Sequence, residues 1–237
     1  MKNLKVLFSI LLLIVITTSC TYAKIGVISN KTFPIKSFTS VESEIVGNII
    51  YSQSNSVSVR AEGDEKMVDN LEVSESKGIL KIVHATKFNK KRKGNLIIFI
   101  SSPAIASVDM YGVGNWIMKG KVKTDDLKIE IEGVGNFEAL GLECNNIKAT
   151  CEGVGNLMLS GTTEFVKIES EGVGSVNAKN MIAKIAVVKS HGVGSVKCYA
   201  SENIDIVNSG VGSVTYYGNP TVKNIKNSGV GKVNAGK

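Results

Sequence analysis

Glu132, Glu152, Glu171 and His191 stand 20, 19 and 20 residues apart. If each interval is one turn of a stacked backbone, three carboxylates and an imidazole line up one strand spacing apart. Close carboxylates repel, and such a ladder can hold a cation. Lys128, Lys148 and Lys167 fall on the same strands and offer the alternative of a salt-bridged surface, which is the default reading. Catalysis on sugars would instead need clustered carboxylates, or a basic residue beside a metal-bound substrate, on one face. Asp125-Asp126 is the only paired aspartate, and neighbouring intervals carry Asn145-Asn146 and Glu164-Phe165 there, so it reads as a solvated turn. His84 has no visible partner for nucleophilic or metal chemistry, and the two arginines, Arg60 and Arg92, lie outside the repeating region. HExxH, Walker and GxSxG patterns are absent. No catalytic, metal-binding or cofactor-binding residue is assigned, and no cofactor is expected.

The intervals are set by a tripeptide. Gly-Val-Gly begins at Gly112, Gly133, Gly153, Gly172, Gly192, Gly210 and Gly229, a period that marks a stacked repeat. With each first glycine as position zero, position +4 is Trp116, Phe137, Leu157, Val176, Val196, Val214 and Val233. Position −4 is Val108, Ile129, Ala149, Ile168, Val188, Ile206 and Ile225, and position −6 is apolar from Ala106 to Ile204. Polar residues fill most of the places between, so each glycine pair is flanked by two strands of period two. The architecture expected is an all-β, single-domain, parallel, right-handed β-helix with about seven regular coils spanning 102–237. Residues 30–101 are read as irregular first coils, with strands at 44–51, 57–61, 79–84 and 96–100 and a helical turn after Asp64.

Other columns carry structural expectations. Position +3 is Asn115, Asn136, Asn156, Ser175, Ser195, Ser213 and Lys232, suited to a hydrogen-bonded ladder along the axis. Position +8 is rich in glycine, which places a second corner there. Lys223 and Lys232 break two columns in the last coil and block strand addition. The valines at +1 admit two orientations. Unbroken alternation puts the glycines inward at a narrow waist and the valines outward; a glycine with positive φ turns the valine in. The partly exposed corner is preferred, which makes Val113, Val134, Val154, Val173, Val193, Val211 and Val230 a candidate docking stripe.

Lys2 and Lys5 precede an apolar run from Val6 to Ile16, then Thr17-Thr18-Ser19 before Cys20. This order is that of a signal peptide over 1–19, with a lipobox-like end that would lipidate Cys20 and leave 20–29 as a tether; cleavage after Ala23 is the competing cut. Export follows from both, with an outer-membrane or cell-surface lipoprotein expected and the periplasm or secretion as alternatives. Loss of Lys2 and Lys5 leaves a net charge of (28 − 2) − 21 = +5, and Lys87, Lys90, Lys91, Arg92 and Lys93 supply five positive charges in one segment. That basic loop lacks interleaved aromatics, so nucleic acid is not an expected partner. The remaining Cys144, Cys151 and Cys198 read as buried thiols.

The exported N-terminus, the strand-rich leader, the Gly-Val-Gly-[Asn/Ser]-apolar units and the run Tyr216-Tyr217-Gly218-Asn219-Pro220 before the last Gly-Val-Gly together resemble the putative auto-transporter adhesin head GIN-domain family, over roughly residues 30 to 235. The resemblance implies a pectin-lyase-like β-helix without recognised catalytic residues and a role in adhesion. The function expected is therefore a non-enzymatic cell-envelope binding protein directed at a glycan or a protein. A carbohydrate-active β-helix enzyme and a purely structural envelope lipoprotein are the alternatives.

Overall fold

Alternation of period two buries one face of a strand and leaves the other wet, and the chain, seen in a computed structural model that describes residues 28–85 and 94–237, follows that pattern almost throughout. The signal segment, Cys20 and the basic loop lie outside the described residues. Two faces of the solenoid are continuous stacks. The first runs through β6 (Ile79–His84), β2 (Ser40–Glu44), β8 (Ser107–Met110) and β10 (Val122–Ile131), then into the ends of β11 (Phe137–Cys151), β12 (Leu157–Ser170) and β13 (Val176–Ser190). It closes on β15 (Asn203–Asn208) and β17 (Val222–Asn227). The second stack runs through β7 (Leu96–Ser102), β3 (Asn48–Gln53), β9 (Trp116–Lys119), the starts of β11, β12 and β13, β14 (Val196–Tyr199), β16 (Val214–Tyr217) and β18 (Val233–Ala235). All of these pairings are parallel. The result is a β-solenoid of about six turns, the number bounded by seven Gly-Val-Gly corners.

The core is the two apolar columns. Trp116, Phe137, Leu157, Val176, Val196 and Val214 at +4 are all buried, as are Val108, Ile129, Ala149, Ile168, Val188 and Ile206 at −4. Each large member contributes about 1.5–3 kcal/mol by leaving water. Trp116 and Phe137 stack with ring centroids 6.1 Å apart. Position −6 holds from Leu127 to Ile204 but fails at Ala106, which is exposed while Ile105 is buried. β8 starts only at Ser107, so alternation is not yet established at that point. In the last coil Ile225 is 39% exposed, because no strand covers β17 on its far side; Lys223, Lys226 and Lys232 charge that edge.

The N-terminal part is more regular than expected. The strand expected across 44–51 is broken at Ile45-Val46-Gly47, where the chain turns a corner between β2 and β3, and Val46 bridges Val113. Residues 40–53 are thus a full coil, and the signal for it, Val46-Gly47-Asn48-Ile49 matching Val113-Gly114-Asn115-Trp116, is in the sequence. The base is sealed by antiparallel additions: β4 (Ser58–Asp64) on β7, β1 (Ile28–Thr32) on β4, and β5 (Leu71–Ser76) on β6. The helical turn is α1 (Glu65–Asp69), which buries Met67 and Val68. Asp64 stands at its N-cap position without capping it; its Oδ2 accepts the Asn95 N–H at 2.5 Å instead.

Candidate functional site

The corner presents the most regular surface on the molecule. Valines 46, 113, 134, 154, 173, 193, 211 and 230 form one unbroken series of parallel bridges. The Val134 N–H donates to the Gly112 carbonyl and the Gly114 N–H to the Val134 carbonyl, both at 2.9 Å, and the same two bonds recur up the stack. The valines point outward: six are 48–52% exposed and Val230, in the last coil, is 71% exposed. The glycines are required for a reason other than a narrow waist. A Cβ on Gly155 or Gly174 would lie 1.6 Å from the carbonyl oxygen of the glycine one coil below, and both have φ of +150°. Glycine here is what lets successive corners sit at strand spacing. Ile45 takes the first-glycine place in the Val46 corner, where the sequence provides no Gly-Val-Gly corner beneath it.

Two polar columns flank the ridge. On one side the Asn115 Nδ2 donates to Asn48 Oδ1 at 3.1 Å, Asn136 to Asn115 at 2.9 Å and Asn156 to Asn136 at 2.9 Å. Backbone N–H groups of Asn115, Asn136 and Asn156 donate to the same oxygens and that of Ser175 to Asn156 Oδ1, so the asparagine part of the expected ladder forms and extends one member earlier, to Asn48, whereas the serines do not continue it side chain to side chain. Each ladder asparagine thereby uses one side-chain N–H and fills its oxygen, leaving one N–H outward. On the other side Glu132, Glu152, Glu171 and His191 are exposed, and His191 Nδ1 lies 2.5 Å from Ser209 Oγ. Two of the three lysines expected to neutralise these glutamates pair two residues away, Lys128 with Glu130 at 2.8 Å and Lys167 with Glu169 at 3.0 Å, where Lys189 joins at 3.2 Å; Lys148 pairs with none of them. The spacing explains this, since Lys128 and Glu130 share one strand face whereas Glu132 lies past the end of β10. The Lys167 hydrogen bond, aided by Lys189, holds the Glu169 carboxyl below its usual range. No group of three or more His, Cys, Asp or Glu side chains among the described residues is arranged to hold a metal ion.

The column of Glu130 holds a feature not anticipated from sequence. Glu42, Asp109 and Glu130 are register partners on three successive strands. Asp109 is half-buried, its Oδ1 is shut off from solvent without a hydrogen-bond partner, and burial pushes its carboxyl up to about 6; Lys128 opposes this, while Glu130 and Glu42 add to it. The signal was three acidic residues at −3 of successive corners, hidden because the Ile45-Val46-Gly47 corner was not counted.

The other candidates are paired or buried. On the far side an open groove of about 480 Å³ includes Asp125, Asn145, Glu164 and Lys184. Asn145 donates to Asp125 at 3.0 Å, Asn146 to Asp126 at 2.8 Å, and Lys184 pairs with Glu164 at 2.6 Å, so the aspartate pair is hydrogen-bonded within strand β10 and is not the solvated turn expected. His84 is buried at the end of β6, opposite Leu71. Cys144 and Cys198 are buried and Cys151 half-buried, all free; burial pushes their thiols up to about 11 for Cys144 and about 12 for the other two, far from a nucleophilic thiolate.

Residues 37–220 match the family described as "Putative auto-transporter adhesin, head GIN domain". The chain belongs to this family. The crystal structure of a putative adhesin from Bacteroides fragilis is similar at 31% identity and a TM-score of 0.84, over 88% of this chain and 97% of that one. A putative lipid binding protein from Parabacteroides distasonis (20% identity, TM-score 0.70) and a putative adhesin from Parabacteroides merdae (20%, 0.67) share the fold, each over 90% of this chain and 98% of its own. No curated protein matches the chain at a significant level.

Proposed function

We propose that this member of the adhesin-head family is an exported, non-enzymatic surface-binding protein whose docking face is the valine ridge with its two polar flanks. The observation that carries the reading is the ridge itself. Seven outward valines in line form a contiguous apolar strip on an otherwise alternating polar exterior, and apolar surface concentrated in this way marks an interaction site. Membership of a family described by adhesion agrees with it. Cys20 is the proposed lipid anchor and residues 20–29 the tether to the membrane. Glu132, Glu152 and Glu171 beside the ridge disfavour an anionic glycan or an anionic lipid surface as its partner and favour a neutral glycan or a protein.

A glycan array run beside a reducing-end release assay tests the reading. Retention of ligand without release of product is expected, and Val154→Glu with Val173→Glu is expected to remove retention. Release of sugar ends by the purified protein would overturn the non-enzymatic assignment.

A further inference from the structure

We propose that the partner seated on the valine ridge is a second copy of this chain, paired about a two-fold axis parallel to the solenoid, so that both tethers leave from the same end. The inference rests on the ridge being a docking face and goes on to name its occupant.

Periodicity comes first. The seven exposed valines from Val113 to Val230 repeat at strand spacing, ~4.8 Å, over about 29 Å. A partner that meets every valine must repeat at the same rise along the whole length, and an identical ladder does so by construction, as in the dry interfaces of stacked identical strands. Flank chemistry then selects the axis. Two ridges can meet face to face with their solenoid axes parallel or antiparallel. In the antiparallel arrangement, overlapped about the middle valine Val173, Glu171 meets its own copy at the cost of like-charge repulsion, while Glu152 lies over His191 and Glu132 over Ser209. In the parallel arrangement the acidic column of each copy lies over the Asn and Ser column of the other. There the outward N–H of Asn136 and Asn156 and the hydroxyl of Ser175 are donors facing the carboxylates of Glu132, Glu152 and Glu171. The central ridge stays apolar and the rim is hydrogen-bonded, the usual anatomy of a protein interface.

Size sets the strength. Five residues across at ~3.3 Å and about 29 Å along give about 480 Å² per copy, or about 960 Å² for the pair before corrugation. That lies below what stable specific interfaces bury and within the range of weak, transient ones, so the dimer is a weak one. Confinement to one membrane through Cys20 favours it by concentrating and aligning the two copies. Because the axis runs along the solenoid, the N-terminal ends lie side by side. The pair therefore forms within one membrane and does not bridge two cells, and the groove face around Asn145 and Glu164 stays outward on both copies.

Sedimentation velocity across the micromolar range is the first test. Wild type is expected to shift from monomer to dimer, and Val173→Glu to move the midpoint up by about tenfold or more, with an unchanged circular dichroism spectrum because the side chain is outside the core. Disulfide trapping is the second. About a parallel axis every valine faces its own copy, so Val113→Cys, Val154→Cys and Val211→Cys each form homotypic cross-links, above the background set by the native cysteines. About an antiparallel axis only one position along the ridge does so. Wild type that stays monomeric throughout, a dimer indifferent to Val173→Glu, or cross-linking at a single position would each overturn the proposal. If wild type is monomeric yet Val173→Glu loses retention on glycan or envelope material, the docking face survives and only the second copy is wrong. If neither dimerisation nor retention responds to the ridge, both readings fall.

Discussion

Asp109→Asn isolates one carboxylate whose environment works against its charge. Between Glu42 and Glu130 and partly withdrawn from water, the Asp109 carboxyl titrates at about 6 when folded against 3.8 for the unperturbed group. The folded state therefore holds this proton more tightly than the unfolded chain does. Its contribution to stability is fully present below the unfolded value and is lost as pH rises through about 6. The full shift of about 2 units corresponds to ~3 kcal/mol, and solvent screening at a half-buried site reduces it to about 1–2 kcal/mol. Asparagine keeps the shape and cannot ionise. Wild type and variant are expected to unfold at the same denaturant concentration at pH 3.5 and to separate as the pH rises. Near pH 7.5 the variant should be about 1–2 kcal/mol more stable, a gain of roughly 2–4 °C in melting temperature for each kcal/mol in a chain of this size. Comparing the two proteins at each pH cancels the titrating groups that are not coupled to Asp109, including Glu169, whose depressed pKa gives the opposite slope. A stability difference that stays constant from pH 3.5 to 7.5 would refute the argument, and a variant less stable at pH 7.5 would reverse its sign.

Gly174→Ala places a Cβ 1.6 Å from the Gly155 carbonyl at a φ of +150°, so the two corners must part and give up the bond from the Gly155 N–H to the Val173 carbonyl. Strain and the lost bond together cost about 2–4 kcal/mol, seen as a lower midpoint in urea, and hydrogen exchange should locate the loosening at the Val154, Val173 and Val193 corners. Calcium is expected to produce no heat on titration and no change in melting temperature, with Glu152→Gln behaving as wild type in calcium, since no described cluster is arranged to hold a metal ion. A calcium-dependent melting shift removed by that substitution would restore the ladder as a cation site. Ellman's reagent should label Cys144, Cys151 and Cys198 slowly at pH 8 in the folded protein and at once in denaturant, because thiols titrating at about 11 to 12 expose almost no thiolate. Rapid labelling of the native protein would contradict their burial.

What was legible in the sequence and what was not follows from the kind of constraint each residue obeys. The columns at −4, +3 and +4 were readable because a solenoid imposes the same contact on every coil, so seven instances average out the accidents of any one. The second corner was readable for a related reason: Gly120, Gly141, Gly161 and Gly218 all have positive φ. The coil at 40–53 was missed because its corner carries Ile45 where a glycine was sought, although Val46-Gly47-Asn48 kept the rest of the pattern. A clash between neighbouring corners, not a property of the corner itself, imposes the glycine, so the motif fades where the stack of corners begins. That one omission also hid the Glu42, Asp109 and Glu130 stack, since a column is visible only when its coils are correctly counted. The ion pairs could not be assigned from spacing alone. Lys128 and Lys167 had glutamates available at both −3 and −1, and the end of the strand at −2 decided the choice by taking Glu132 and Glu171 off the face the lysines share. The same strand end leaves those glutamates beside the ridge with their charge uncommitted, and it is their charge, set against the amides on the opposite flank, that gives the proposed docking face a direction.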